Sequence, residues 1–205
     1  MLARPALAVA YWSGGHHRDD GGRGMATGGT DMWRLIVVRH AKSAWPDVPD
    51  LRRPLAARGL RDAPAAGRWL REHGLVPDRA ICSPARRAAA TWELASAEWP
   101  EVPPVVHDPR VYEADADGLV DVVREVSPTV GTVLLVGHQP VLAELVLALA
   151  DRDPAAPGAA TRDADLDRIR EKFPTSAIAV LATAEPWPQL RPGTARLTHF
   201  AVPRG

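Results

Sequence analysis

Three basic groupings in this chain are suited to chemistry: Arg39-His40, the segment Ser83-Pro84-Ala85-Arg86-Arg87, and Gly137-His138-Gln139-Pro140. A neutral imidazole is a competent nucleophile toward phosphorus, and an adjacent guanidinium binds phosphoryl oxygens bidentately. A transferring phosphoryl group asks the protein mainly for alignment and charge neutralisation. Arg39, Arg87 and a protonated or donating His138 would supply both, with His40 receiving the phosphoryl group and no metal required. Taken alone, His40 would read as a satisfied core histidine and Arg87 as a solvated helix charge. The chemical reading needs all three groupings to arrive at one place.

Each grouping follows a short apolar run: Leu35 to Val38, Arg79 to Cys82, and Val133 to Val136. The runs are continuous rather than alternating, as in strands buried on both faces of a parallel sheet. Ligands of such sheets bind beyond the carboxyl ends of the strands, where the three groupings would converge. The pattern predicts a single α/β domain, a three-layer sandwich with a mostly parallel central sheet. Pro54 predicts a helix start, with a face of Leu55, Leu60, Ala63, Gly67 and Leu70 running to His73-Gly74 and Pro64 free to kink or divide it. Ser83 reads as an N-cap with Pro84 at the first helical position, which would set Arg87 at the end of the first turn. Leu119, Val122, Val123 and Val126 have helical spacing, and a helix is expected over Val141 to Ala150. Asp151 to Lys172 reads as a loop with one helical stretch. Val105-Val106, Ala177 to Ala182 and Ala195 to Phe200 supply further strands.

Lysine plus arginine equals aspartate plus glutamate at 25 each, so no global field draws nucleic acid or an anionic membrane. The seven tryptophans are scattered without a basic stripe, which argues against base stacking. The single Cys82 excludes an internal disulfide and fits a reducing, cytoplasmic setting. A Cys-x5-Arg phosphate loop would need one more residue between Cys82 and Arg87. No apolar stretch approaches the ~20 residues that cross a bilayer. Residues 1–31 are Gly-rich and read as a disordered extension, with the domain over 32–205; Met25 and Met32 are alternative starts. His16, His17, Asp19 and Asp20 could ligate a metal only if the surrounding glycines held them in place.

The motifs resemble those of the histidine phosphatase superfamily, phosphoglycerate-mutase-like, and within it the small SixA-type phosphohistidine phosphatase branch. Arg39-His40-Ala41-Lys42-Ser43 is similar to the RHG-type signature in its RHAKS form. Asp50-Leu51-Arg52-Arg53-Pro54-Leu55 with Gly59 is similar to the branch's D-x-x-R-P-L-x-x-x-G, and Ser83 to Ala88 with Thr91 to its S-P-x-x-R-A-x-x-T. Val136-Gly137-His138 matches the second-histidine motif, and Lys172 to Ala177 the late P-T-x-A segment.

The resemblance implies a phosphoglycerate-mutase-like fold and a metal-independent phosphatase acting through phosphohistidine on His40. Arg39, Arg87 and His138 would form the phosphate pocket, and Glu113 the general acid, with Asp115 and Asp117 as rivals. Ser43 would either touch phosphate or cap the turn, and Arg53 either brace the loop or extend the pocket. The implied partner is a phosphorylated protein or a small phosphoester, nucleotides and sugar phosphates included. The short chain lacks the insertions that surround a mutase site. A non-hydrolytic phospho-ligand binding module is the alternative from another class.

Overall fold

The computed structural model describes residues 32–205. The predicted extension, with His16, His17, Asp19, Asp20 and Met25, lies outside the described residues. Six strands form one mixed sheet in the order β3-β2-β4-β1-β5-β6: β1 (Trp33–Arg39), β2 (Arg79–Cys82), β3 (Val105–His107), β4 (Thr132–Gly137), β5 (Ile178–Thr183) and β6 (Arg196–Ala201). β3, β2, β4 and β1 pair in parallel, whereas β5 runs antiparallel to both β1 and β6. The mostly parallel sheet expected from the apolar runs is therefore present, closed at one side by an antiparallel hairpin.

Alternate residues of each central strand bury on opposite faces. Leu35, Val37, Ile81, Val133 and Leu135 pack with helices α4 (Ala116–Arg124), α5 (Val141–Leu149) and α6 (Ala159–Glu171). Ile36, Val38, Ala80, Cys82, Leu134 and Val136 pack with α1 (Ala57–Glu72) and α2 (Arg86–Ser96). Both faces are covered, so both sets of side chains must be apolar, and this is why the runs do not alternate.

Several boundaries differ from expectation. α1 begins at Ala57 rather than Pro54, because the Pro54 carbonyl accepts from Ala44 N and Leu55 pairs with Ser43 in an isolated antiparallel bridge. Pro64 leaves α1 undivided, and Leu60 points to solvent at 52% exposure. α2 begins at Arg86 with Ala85 as its N-cap. The Ser83 hydroxyl is shared: it accepts from Ala85 N, just ahead of the helix, at 3.3 Å and contacts the His138 ring at 2.8 Å. The segment after Ala150 carries a full helix, α6, whose inward positions Arg162, Leu166 and Ile169 include an arginine bonded to Asp151 at 2.6 Å.

Candidate active site

Strand register brings the groupings together. Arg39 pairs with Gly137 across β1 and β4, and Cys82 with Val136 across β2 and β4, so the next residues, His40, His138 and Ser83, leave the sheet side by side. The backbone continues the row: His40 N donates to the Gly137 carbonyl at 3.0 Å and Ser83 N to that of Val136 at 3.0 Å. The His40 and His138 ring centroids are 5.0 Å apart.

The His40 Nδ1 donates to the Ala41 carbonyl at 2.7 Å, which fixes the tautomer and places the lone pair on Nε2. Arg87 Nε donates to that Nε2 at 3.3 Å. Burial, reinforced by nearby cationic and imidazole groups, pushes His40 down to about 3 and His138 down to about 4. Both rings are therefore neutral near pH 7. Such an environment suits a nitrogen nucleophile flanked by guanidinium, and a phosphoryl dianion held between the rings would favour protonation of His138.

Arg87 is 6% exposed and anchored on the loop between β1 and α1: its Nη1 donates to the Asp50 carbonyl at 2.8 Å and its Nη2 to Asp50 Oδ2 at 2.9 Å. Tyr112 donates its hydroxyl to the same oxygen at 2.7 Å and sets its ring edge-on to His138, with centroids 5.2 Å apart. Hydrogen bonds from Tyr112, Arg53 and Arg87 hold the Asp50 carboxyl well below the usual carboxylate range. Thr91, one turn along α2, accepts from Ala41 N at 2.9 Å and donates to the Arg87 carbonyl at 2.6 Å, tying the turn after His40 to the helix that carries Arg87.

Arg39 lies on the other side of the turn, its Nη1 donating to the Phe173 carbonyl at 2.8 Å. Among the described residues, the buried polar side-chain atoms without a hydrogen-bond partner are Arg39 Nε, His138 Nδ1 and Ser176 Oγ. All three border the same site, since Ser176 N donates to the Arg39 and His40 carbonyls at 3.1 and 3.3 Å. Ser176 holds φ of 62°, a left-handed conformation that non-glycine residues seldom adopt.

Arg53 faces its own loop: it donates to Ala44 O at 3.1 Å, Asp50 Oδ1 at 2.9 Å and Ser43 Oγ at 2.7 Å, with Trp45 stacked over its guanidinium. These contacts favour bracing for Arg53 and a structural hydroxyl for Ser43. Glu113 ends the one-turn helix α3 (Arg110–Glu113) with its side chain exposed, while the preceding Tyr112 turns to the site. Asp115 caps α4 by accepting from Gly118 N at 2.9 Å, and Asp117 is exposed in that helix's first turn. Cys82 is fully buried, donates to the Ser83 carbonyl at 3.3 Å, and burial pushes its thiol up, far from a thiolate nucleophile. Sequence reasoning missed the roles of Asp50, Tyr112 and Thr91. The first and last stand inside quoted motifs, but their contacts join segments distant in the chain.

The model of the histidine phosphatase superfamily (branch 1) matches residues 35–128. A solved structure described as a candidate phosphohistidine phosphatase SixA from Nakamurella multipartitia is 30% identical, with a TM-score of 0.71 over 84% of this chain and 96% of that one. The chain belongs to the histidine phosphatase superfamily. A similarly described SixA from Agrobacterium tumefaciens, 24% identical over 83% of this chain and 98% of that one, shares the fold with a TM-score of 0.67. An uncharacterized protein of Mycobacterium tuberculosis is 40% identical over 168 residues, which are 82% of this chain and 100% of that protein. The family supports a phosphatase, and its phosphoglycerate-mutase-like architecture is the one seen here. Among the described residues, no helix is long and apolar enough to cross a membrane.

Proposed function

We propose that this chain hydrolyses a protein phosphohistidine or a small phosphoester through a covalent phosphohistidine on His40. The observation that carries the reading is the fixed neutral tautomer of His40, with Nδ1–H on the Ala41 carbonyl and the Nε2 lone pair beside Arg87 and His138. The Nε2 lone pair forms the new bond to phosphorus as the bond to the leaving oxygen or nitrogen breaks, and the leaving group takes that electron pair. Arg39, Arg87 and His138 offset the charge of the transferring group. Water then attacks phosphorus, its protons staying with the released phosphate, and His40 departs with its lone pair restored. An imidazole leaving group arrives already protonated, whereas an alkoxide needs an acid, for which Glu113 is proposed. Its exposure is also the one observation favouring the second reading, a phospho-ligand binding module with ineffective acid catalysis.

Rapid quench with labelled substrate separates the two. The wild-type protein is expected to accumulate an acid-labile, base-stable phosphoenzyme that His40→Ala lacks. A covalent phosphoenzyme persisting in His40→Ala would sink the nucleophile assignment, and the absence of any turnover by the wild type would favour the binding module. Glu113→Gln should slow esters with high-pKa leaving groups far more than aryl phosphates or phosphohistidine; equal losses would reject the proton-donor role. Chelator treatment is expected to leave the rates nearly unchanged.

A further inference from the structure

Beside the paired histidines lies a cleft of about 340 Å³ whose lining includes Arg39, Lys42, Arg58, Lys172 and Arg204, with Thr175. These five cations come from four separated parts of the chain: the end of β1 with the turn that follows it, the start of α1, the segment between α6 and β5, and the C-terminal end of the described residues. Among the described residues, no carboxylate lines the cleft, and the carboxylate that reaches its cations is Asp62. Asp62 is 1% exposed and lies behind the cleft, accepting from Arg58 Nε at 3.2 Å and Arg204 Nη1 at 3.0 Å. Among the described residues, one buried negative charge thus stands against five positive ones. Among the described residues, neither Lys42 nor Lys172 pairs with a carboxylate, and both side chains are exposed. Arg204 Nη1 also donates to the Thr175 carbonyl at 2.8 Å, fixing one wall to the segment that buttresses His40.

In a chain of zero formal net charge, such a concentration is a local device rather than the overflow of a basic protein. Like charges placed together destabilise a fold, and an anion reverses that cost. Arg39 belongs to both places. It immediately precedes His40, it lines the cleft, and its Nε is one of the buried donors without a partner.

We infer that the cleft binds a second anionic group, phosphate or carboxylate, carried by the same substrate whose phosphoryl group His40 receives, with Lys42 and Lys172 as the specificity-determining residues. This rests on the reading of His40 as phosphoryl acceptor. Lys42 and Lys172 supply point charges at the mouth, Arg39 spans from the transferring phosphoryl group to the second anion, and Arg58 and Arg204 form the back wall on Asp62. A compact substrate with two anionic groups and a phosphohistidine flanked by acidic side chains offer the same chemistry. The cleft distinguishes either from a phosphoester with one anionic group.

The test begins with binding, so that it does not depend on turnover. Calorimetry on the full chain compares methylphosphonate with a short series of alkane bisphosphonates, and phosphohistidine-analogue peptides flanked by glutamate with the same peptides flanked by glutamine. The wild type is expected to gain at least about tenfold in affinity from the second anion on one of the two pairs, and that pair names its source. The Lys42→Ala/Lys172→Ala double variant is expected to lose the gain while binding methylphosphonate as the wild type does, and a thermal unfolding curve checks that it is folded. In steady state, the same variant should keep kcat/KM for an aryl phosphate within about twofold while KM for the bis-anionic substrate rises about tenfold with kcat unchanged. A wild type that treats both pairs alike, or a gain that survives in the double variant, overturns the inference. Binding as expected with no turnover of any phosphoester would uphold the cleft and reject the phosphatase reading instead.

Discussion

Because the Nδ1–H of His40 is committed to the Ala41 carbonyl and the ring is buried, the imidazole carries no charge under conditions where an exposed histidine would titrate. That has a consequence for stability. The folded value, about 3, lies below the ordinary value of 6.5, so the unfolded chain binds the extra proton first as pH falls. The contribution is complete above about pH 6.5 and is lost as pH drops toward the folded value, with His138, at about 4, acting in the same sense. Urea unfolding should show the wild type losing ~2 kcal/mol more than His40→Asn between pH 6.5 and 4.5; parallel profiles would count against a neutral buried ring. Asp50 acts in the same sense but in a lower window, since its carboxyl is held low and its support fades only below about pH 4, outside that range. Its clamp on Arg87 makes it a positioning residue. Asp50→Asn keeps the shape but weakens the anchor at Arg87 Nη2, so kcat should fall about tenfold with KM unchanged or lower. Tyr112→Phe, which leaves both arginine contacts with Asp50 in place, should cost less. A raised KM at constant kcat would instead make Asp50 a substrate contact.

The arginine is carried by α2, and α2 is set by how closely α1 approaches it. A Cβ on Gly67 would lie 2.1 Å from the Ala95 carbonyl oxygen, and one on Gly59 would lie 2.1 Å from that of Lys42. α1 is thus pressed between the turn that follows His40 and the helix that holds Arg87. Gly67→Ala, favourable for an isolated helix, is expected to destabilise the protein by about 1–3 kcal/mol, read as a fall in Tm, and to lower kcat/KM because α2 must shift. A stabilised variant with full activity would show that the helices can part freely. The strands were legible because burial on both faces writes an unbroken apolar run. α6 was legible only as a stretch, since one of its three inward positions is Arg162, and an apolar pattern cannot register a buried arginine whose partner, Asp151, is eleven residues away. The start of α2 was misread because Ser83-Pro84 is a sound capping pair locally, whereas the helix begins at Arg86 and the Ser83 hydroxyl is shared between Ala85 N and His138.

Over the whole molecule, the convergence of Arg39-His40, Ser83 and His138 follows from parallel strands ending in one row, and that much the sequence carried. The clamp joining Asp50, Arg87 and Tyr112 spans 62 residues between its ends and leaves no local signature; a tyrosine beside a glutamate reads equally well with either facing inward. The same architecture separates this site from thiol chemistry. Cys82, at the end of β2, packs on the α1 and α2 side of the sheet with no accessible surface. Phosphatases that attack through a thiolate are silenced when an oxidant converts that sulfur to a sulfenic acid. Here the nucleophile is proposed to be a nitrogen, and the one sulfhydryl of the chain is a protonated core residue sealed from solvent. Exposure to hydrogen peroxide at a dose that inactivates a cysteine phosphatase should therefore leave turnover intact, and Cys82 should resist alkylation until the protein unfolds. A site of this construction would remain active through an oxidative burst that shuts down its thiol-dependent counterparts.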